Sequence, residues 1–413
     1  MKIEIKDNIK QIAAQAETAL ADKFHEIDEI AAYNQQKVLQ AFIDNRVGTA
    51  HFNPTTGYGY DDVGRETLDK IYAQIFGAEA ALVRHNIVNG THCLAIALFA
   101  VLRPGDTLLA VTGKPYDTLE EVIGISGEGL GSLREFGVKY EQVDLVDGAP
   151  DFEGIKKALH GGVKAVIIQR SKGYDWRESD CVEDIGRIIA NIRQVKPDTI
   201  CIVDNCYGEF VEKLEPTQVD ADLVVGSLIK NPGGGLAQTG GYIAGKEKYV
   251  EMAAYRQTCP GIGAECGATL GQNRFMYQGL FMAPHAVAQA VKAAALCGGI
   301  MERLGYEVNP RPNDFRSDII QAVKFNDEEK LIKFIQAIKT ASPVDSYALP
   351  LPWDMHGYQH QVIMAAGTFV SGASIELSAD APIKPPYVCF MQGGLTYESA
   401  KIALMYAAGE EIK

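Results

Sequence analysis

The sequence predicts an α/β protein built on a mostly parallel sheet, with a smaller α/β domain at the C-terminal end. Three observations predict it. Short apolar runs bounded by turn residues, among them 107–111, 164–170, 200–204 and 223–226, alternate with stretches of helical periodicity, which is the pattern of βαβ units. Two of these runs lead into chemically active groups, Asp204 and Lys230, whose separation of 230 − 204 = 26 residues leaves room for one crossover between neighbouring parallel strands. The chain has 413 residues, 47% hydrophobic and 22% charged. That is more than one typical domain and enough apolar material for a large core. The expected division is a helical arm at 1–50, a large domain at 51–285 and a small domain at 286–413.

The balance of charge narrows the function classes. Net charge is −14 with no block of basic residues, which argues against a nucleic-acid or anionic-membrane surface. The opening MKIEIKDNIK is polar, with no secretory apolar region, and no uninterrupted apolar run approaches the roughly 20 residues that span a bilayer. A cytoplasmic protein without nucleic-acid or membrane partners is the expectation. Eight cysteines are scattered without a C-x-x-C pair, so buried reduced thiols are expected and no metal site.

In chain order, residues 1–46 carry apolar positions at helical spacing, including Ile9, Ile12, Ala16, Leu20, Ile27, Val38 and Phe42. Such an arm packs either on a neighbouring subunit or on its own domain. A turn-rich aromatic stretch follows, with Tyr58 and Tyr60, then an amphipathic helix from about Arg65 to Phe76. A short strand at 80–83 and a helix at 91–102 flank the turn Asn89-Gly90-Thr91. A glycine turn at a helix N-terminus exposes amide N–H groups that can hold a phosphate. After the strand at 107–111, Tyr116 falls at the start of the next helix. Strands at 138–145 and 164–170 enclose a helix near 151–159. The second ends in Gln169-Arg170-Ser171-Lys172, polar groups at a strand's carboxyl end, where open α/β sheets bind ligands. Arg170 or Arg177 is a candidate for a substrate carboxylate, with a surface salt bridge as the alternative.

The most informative stretch of the chain is ICIVDNCYGEF followed by ADLVVGSLIKNPGGGLAQTGGYIAG, within residues 200–245. One strand ends on Asp204. The next runs through Ser227 to Lys230 and a glycine turn that lets the backbone pass close to a ligand. Burial among apolar and glycine residues is expected to lower the Lys230 pKa, and a neutral amine is what imine formation with a carbonyl needs. A carboxylate on the preceding strand suits a cationic ring nitrogen. The return at 242–244 reads as an antiparallel strand, and residues 286–304 as an Ala-rich helix leaving the large domain. Beyond Tyr306 come a strand at 318–325, a helix at 327–341, strands within 362–377 and from 387, and a final helix.

The motif D-x-x-Y…S-L-x-K with its glycine turn and TGGYIAG resembles the core of the fold-type I pyridoxal phosphate enzymes. More narrowly, nearly the whole chain is similar to the methionine gamma-lyase-like, or cystathionine beta-lyase-like, group known as aluminium resistance proteins. The resemblance implies the fold-type I transferase fold and pyridoxal 5'-phosphate as cofactor, joined to Lys230 and paired through its ring nitrogen with Asp204. It implies a phosphate site from Asn89, Gly90, Thr91 and Ser227, a ring-stacking role for Tyr116, and Tyr207 beside the cofactor. It also implies a homodimer or homotetramer in which the 53–62 loop reaches a partner's cofactor phosphate, with Tyr60 matching the family's tyrosine. The arginine's place there holds Asp62, so Arg65 is the substitute donor, and Tyr58 a substrate contact. In the last strand region the family's carboxylate-binding arginine is replaced by Phe390.

The implied reaction is carbon–sulfur bond cleavage in a sulfur-containing amino acid, with freed Lys230 as the base at Cα. Readings kept beside it are an aminotransferase, a racemase or a gamma-replacement synthase on the same cofactor, an aldolase-type Schiff base on Lys230, and a non-catalytic α/β binding protein. A nicotinamide fold is not expected, because no G-x-G-x-x-G follows the first strand.

Overall fold

The computed structural model describes residues 3–355 and 357–411; Met1 and Lys2, which the sequence placed at the head of the arm, lie outside them. The chain opens with helices α1 (Asp7–Ala19), α2 (Ala21–Asp44) and α3 (Val63–Phe76). The first sheet is then laid down as β1 (Ala80–Arg84), α4 (Gly90–Val101), β2 (Thr107–Ala110), α5 (Asp117–Ile123), β3 (Lys139–Gln142), α6 (Phe152–Ala158), β4 (Val163–Gln169), α7 (Val182–Val195), β5 (Ile200–Asp204), β6 (Leu223–Ser227) and β7 (Gly241–Gly245). After α8 (Glu247–Gln257) and α9 (Asn273–Arg303) come β8 (Glu307–Asn309), β9 (Ile320–Lys324), α10 (Glu328–Thr340), β10 (Val362–Met364), β11 (Ser378–Pro382), β12 (Val388–Gln392) and α11 (Tyr397–Glu411).

The seven-stranded sheet has the order β1-β7-β6-β5-β4-β2-β3. Strands β6, β5, β4, β2 and β3 run parallel; β7 is antiparallel to both its neighbours, β6 and β1, so β1 at the edge runs in the direction of the rest. Strands β4, β5 and β6 are buried on both faces, as expected where helices cover both sides. Their registers set Gln169 beside Asp204, and Asp204 beside Val225, so their carboxyl ends open into one crevice. The second sheet, β10-β11-β12-β9-β8, is antiparallel throughout.

Helix α9 joins the halves. Met276 to Val291 contribute to the core under the first sheet, and Ala293 to Met301 to the core of the second, so a continuous helix passes between them without a linker. It is long and apolar enough to cross a membrane by composition, but 72% of its most apolar window lies inside the protein. The N-terminal arm packs on its own chain and divides between the same cores. Ile9, Ala13 and Ala16 of α1 join the second, and Ile27, Val38 and Ala41 of α2 join the first.

Two local expectations change. The strand expected over 138–145 is only Lys139–Gln142, since the chain then leaves the sheet through a bridge between Val146 and Ala149. Of the stretch 362–377 only Val362–Met364 is strand, and the partner of β12 is the unpromising Ser378–Pro382. That strand pairs because its polar groups satisfy one another: Ser378 Oγ donates to Asp380 at 2.7 Å and Gln392 Nε2 to the other Asp380 oxygen at 2.6 Å.

Candidate active site

A cavity of about 240 Å³ lies beyond the carboxyl ends of β4, β5 and β6. Asp204 and Lys230 both line it, with Asn89, Gly90, Thr91, Tyr116, Tyr207 and Ser227. Eight of the thirteen expected site residues line this one cavity; the three arginines and Tyr58 with Tyr60 are elsewhere.

One end of the cavity suits an anion. Asn89 caps α4, its Oδ1 accepting from His92 N at 2.8 Å. The Gly90 and Thr91 N–H groups make no hydrogen bond among the described residues and stand at the positive end of the helix dipole. Ser227 is buried, and its hydroxyl has no partner. A buried unpaired hydroxyl costs about 1–3 kcal/mol, so a ligand oxygen at this place would offset a real penalty. A Cβ on Gly90 would stand 3.2 Å from Cys206 Sγ and 3.7 Å from Ser227 Cβ, which keeps this loop close to the strand ends.

The centre holds the acid and the amine. Burial raises the Asp204 carboxyl above its ordinary range; the Lys230 ammonium and the Cys206 N–H, 3.1 Å from Oδ1, pull the other way. Lys230 corrects the sequence reading. Burial does push its pKa down, but Cys206, Tyr207, Asp204 and Glu209 together push it up further, so the net direction is up. Its Nζ lies 4.1 Å from the Tyr207 ring centroid. Tyr207 itself adopts φ +74, a left-handed conformation that a bulky residue holds only when its surroundings enforce it. Asn231 enforces it: its Nδ2 donates to Tyr207 O at 2.9 Å and Glu209 O at 3.0 Å, tying the turn after Asp204 to the residue after the lysine.

The glycine turn serves packing, not the cavity. A Cβ on Gly233 would meet Leu228 O at 1.7 Å, and one on Gly234 the Gly279 carbonyl of α9 at 2.3 Å. The expectation that these glycines clear space for a ligand is therefore replaced by a close helix approach.

Tyr116 forms one wall. Its N–H donates to Gln169 Oε1 at 2.7 Å, and its hydroxyl meets that of Tyr358 at 2.7 Å. Tyr174 packs against both, with ring centroids 5.8 Å and 6.0 Å away, and against Phe390 at 5.3 Å. Sequence reasoning missed Tyr358 and Cys206, and gave Gln169 no role beyond a polar strand end. The first lies 242 residues from Tyr116, and no local signal marks it.

Arg170 and Arg177 are corrections. Arg170 is fully buried; it donates to Asn205 Oδ1 at 2.7 Å and Glu212 Oε1 at 2.6 Å, with Glu215 at 3.7 Å. Arg177 is buried on the Gln169 and Ser171 carbonyls and Asp180. Neither reaches the cavity. Gln169, Ser171 and Gly173 of this strand end do line the cavity, while the two arginines brace the loop behind it. Arg170→Met is expected to destabilise the protein by about 3–5 kcal/mol, since it leaves buried carboxylates without their cation, read as a fall in the denaturation midpoint. A substrate-affinity loss at unchanged stability would contradict this.

Arg65 is likewise committed. Its guanidinium is buried on the carbonyls of Gly59 at 2.6 Å, Gly267 at 2.8 Å and Glu265 at 3.1 Å. It holds the loop and is not free for a phosphate. Asp62 stands in the arginine's place because it caps α3, accepting from Arg65 N, Thr55 Oγ1 and Thr269 Oγ1. Tyr58 and Tyr60 are stacked on each other and exposed, outside the cavity.

Behind the site, Glu209 is buried with one oxygen accepting from Tyr242 OH at 3.0 Å and the other without a partner. Burial, with Glu215 adding to it, pushes its carboxyl from 4.5 up to about 8. The native state then holds a proton that the unfolded chain releases above about pH 4.5, so stability falls as pH rises toward 8, by up to about 1.4 kcal/mol per unit. Glu209→Gln is expected to flatten that slope in denaturation midpoints measured from pH 5 to pH 8; an unchanged slope would show the carboxyl ionised in the fold.

Comparison with known proteins agrees with this geometry. Residues 9–412 match the methionine gamma-lyase family. The uncharacterized protein YnbB of Bacillus subtilis is 52% identical over 401 residues, 97% of this chain and 95% of its own. The solved structure of a carbon-sulfur lyase involved in aluminum resistance from Clostridium novyi NT superposes with a TM-score of 0.95 at 52% identity, covering 98% of this chain and 96% of that one. The pyridoxal-5'-phosphate dependent protein YhfS of Escherichia coli shares the fold alone, with a TM-score of 0.63 at 16% identity over 92% of this chain and 96% of its own. From its first helix to its last, the chain belongs to the methionine gamma-lyase family.

Proposed function

We propose that the protein is a pyridoxal phosphate-dependent carbon–sulfur lyase acting on a sulfur-containing amino acid. One observation carries the reading: an amine and a carboxylate stand at the ends of adjacent parallel strands in the cavity whose far end offers free helix N–H groups and the unpartnered Ser227 hydroxyl. The residues fit the cofactor. Gly90, Thr91 and Ser227 would hold its phosphate, Asp204 its ring nitrogen, Lys230 its aldehyde, and Tyr116 a face of the ring. When bound, the cofactor would supply an electron-withdrawing ring that stabilises charge developing at the substrate's Cα.

The chain's own groups do the rest. Asp204 keeps the ring nitrogen protonated, and a cation beside that carboxylate lowers its raised pKa. Lys230, once released, removes the Cα proton. Loss of the thiol from Cβ or Cγ leaves products that hydrolyse to a keto acid and ammonia. The exposed Tyr58–Tyr60 pair supports an assembly of two or four copies in which this loop meets a second chain.

The test is the visible spectrum of the purified protein, then incubation with L-cystathionine, L-methionine and L-cysteine. A thiol product with keto acid and ammonia is expected. Keto acid without a thiol would make it an aminotransferase, inverted amino acid a racemase, and a replaced side chain a gamma-replacement synthase. A colourless protein that takes up no cofactor would end the reading.

A further inference from the structure

Lys230 and Asp204 share their cavity with no second cation among its lining residues. An amino-acid substrate nevertheless brings a carboxylate, and burying one without a positive partner is costly. Arg170 and Arg177 are committed elsewhere, and Phe390 is buried against Tyr174. The positive charge has to come from another wall.

A second cavity, of about 160 Å³, lies across Tyr116 from the first, and Tyr116 lines both. Tyr358 and Tyr174 complete the partition. Among the described residues three basic side chains line the second cavity: Lys114, His360 and Lys384. Lys114 is occupied, 2.6 Å from Glu120 and 3.8 Å from Asp117. The Lys384 ammonium makes no hydrogen bond or ion pair among the described residues, and its backbone is fixed in the turn between β11 and β12. Lys384 N donates to Pro382 O at 3.0 Å and its carbonyl accepts from Tyr387 N at 2.8 Å. Of the acids on the same wall, Asp117 is near Lys114 and Asp175 caps the Trp176 N–H at 2.8 Å. Lys384 is exposed on a fixed turn lining a hollow that shares Tyr116 with the first cavity, and a cation without a partner among the described residues is what a carboxylate requires there.

We propose that this second cavity is a carboxylate-binding subsite of the substrate, with Lys384 as the residue that determines it. The proposal rests on the lyase reading above. The carboxylate is either the α-carboxylate of the reacting amino acid or one carried by the leaving thiol; both present the same chemistry to the ammonium.

The test compares wild type with Lys384→Gln, which keeps the stem and a donor but removes the charge, and with Lys384→Arg, which keeps the charge. The measurements are KM and kcat, and the dissociation constant from titrating the holoenzyme's visible spectrum, with L-cystathionine and L-methionine. Loss of a charged hydrogen bond predicts an approximately tenfold rise in KM and dissociation constant for Lys384→Gln. The expected kcat stays within about twofold, and Lys384→Arg restores binding. Weakening for both substrates identifies the α-carboxylate, and weakening for L-cystathionine alone identifies the leaving thiol. Unchanged binding in Lys384→Gln, or a Lys384→Arg as weak as the glutamine variant, overturns the proposal. If no substrate yields a thiol and keto acid while the spectrum still responds to both, the lyase reading fails and the dissociation constants decide the subsite separately. A spectrum that responds to neither amino acid overturns both.

Discussion

Lys230→Ala is expected to lose covalent attachment of pyridoxal phosphate and to lower turnover by on the order of 10⁴-fold or more, the scale seen when a nucleophile or base that acts at the reacting atoms is removed. Among the described residues the amine is the one basic side chain lining the cavity beside Asp204, so no described neighbour replaces it. Its surroundings also give the reaction a pH sign. Despite burial, the nearby acidic groups raise its pKa, and only the neutral amine attacks an aldehyde. Capture of the cofactor by the cofactor-free protein is therefore expected to speed up as pH rises. Borohydride reduction followed by mass measurement checks both points: wild type gains the mass of the reduced cofactor, and Lys230→Ala does not. A variant that still gains it would place the attachment on another side chain.

Asp204→Asn is expected to move activity and stability in opposite directions. Asparagine keeps the shape and the acceptor for Cys206 N, 3.1 Å away, and removes only the charge. Turnover is expected to fall about 10²–10³-fold, the range for loss of one preorganised electrostatic partner, with weaker cofactor retention. The stability sign follows from the raised carboxyl. Burial lifts its pKa above the ordinary 3.8, so this group's contribution is complete below that value and is lost as pH rises through the native pKa. At neutral pH the cofactor-free asparagine variant is therefore expected to melt no lower than cofactor-free wild type. Thermal denaturation with and without cofactor, alongside kcat, separates the effects. A variant that melts lower in both forms while retaining full turnover would show Asp204 to be a structural residue only.

The legibility of this chain followed the range of the interactions. Strands β4, β5 and β6 were readable because they are buried on both faces and so appear as short, continuous apolar runs. The Asn89-Gly90-Thr91 turn was readable because a glycine turn between a strand and a helix is a local signal, and the structure adds that Asn89 caps the helix. Strand β11 was not, since Ser378 and Asp380 enter a sheet only when Gln392 of β12 completes their hydrogen bonds. Arg170 and Arg65 misled for the same reason: an arginine near a strand end or loop reads as a ligand group until its distant acceptors, Glu212 and Gly267, are placed. The glycines at 233 and 234 were noticed, but the partner that demands them is Gly279 of α9, far along the chain.

By itself the sequence determined the α/β class, the acid and the lysine at the carboxyl ends of adjacent strands, and the helix N-terminus that can receive an anion. Each of those follows from periodicity, capping or strand order over a few dozen residues. Only the tertiary structure decided which acidic groups surround Lys230, the commitment of the arginines, and the Tyr116–Tyr358 partition with the second cavity behind it. Burial and electrostatic interaction depend on which distant groups share a low-dielectric space, and that is set when the two sheets close on each other, not by any local stretch of chain.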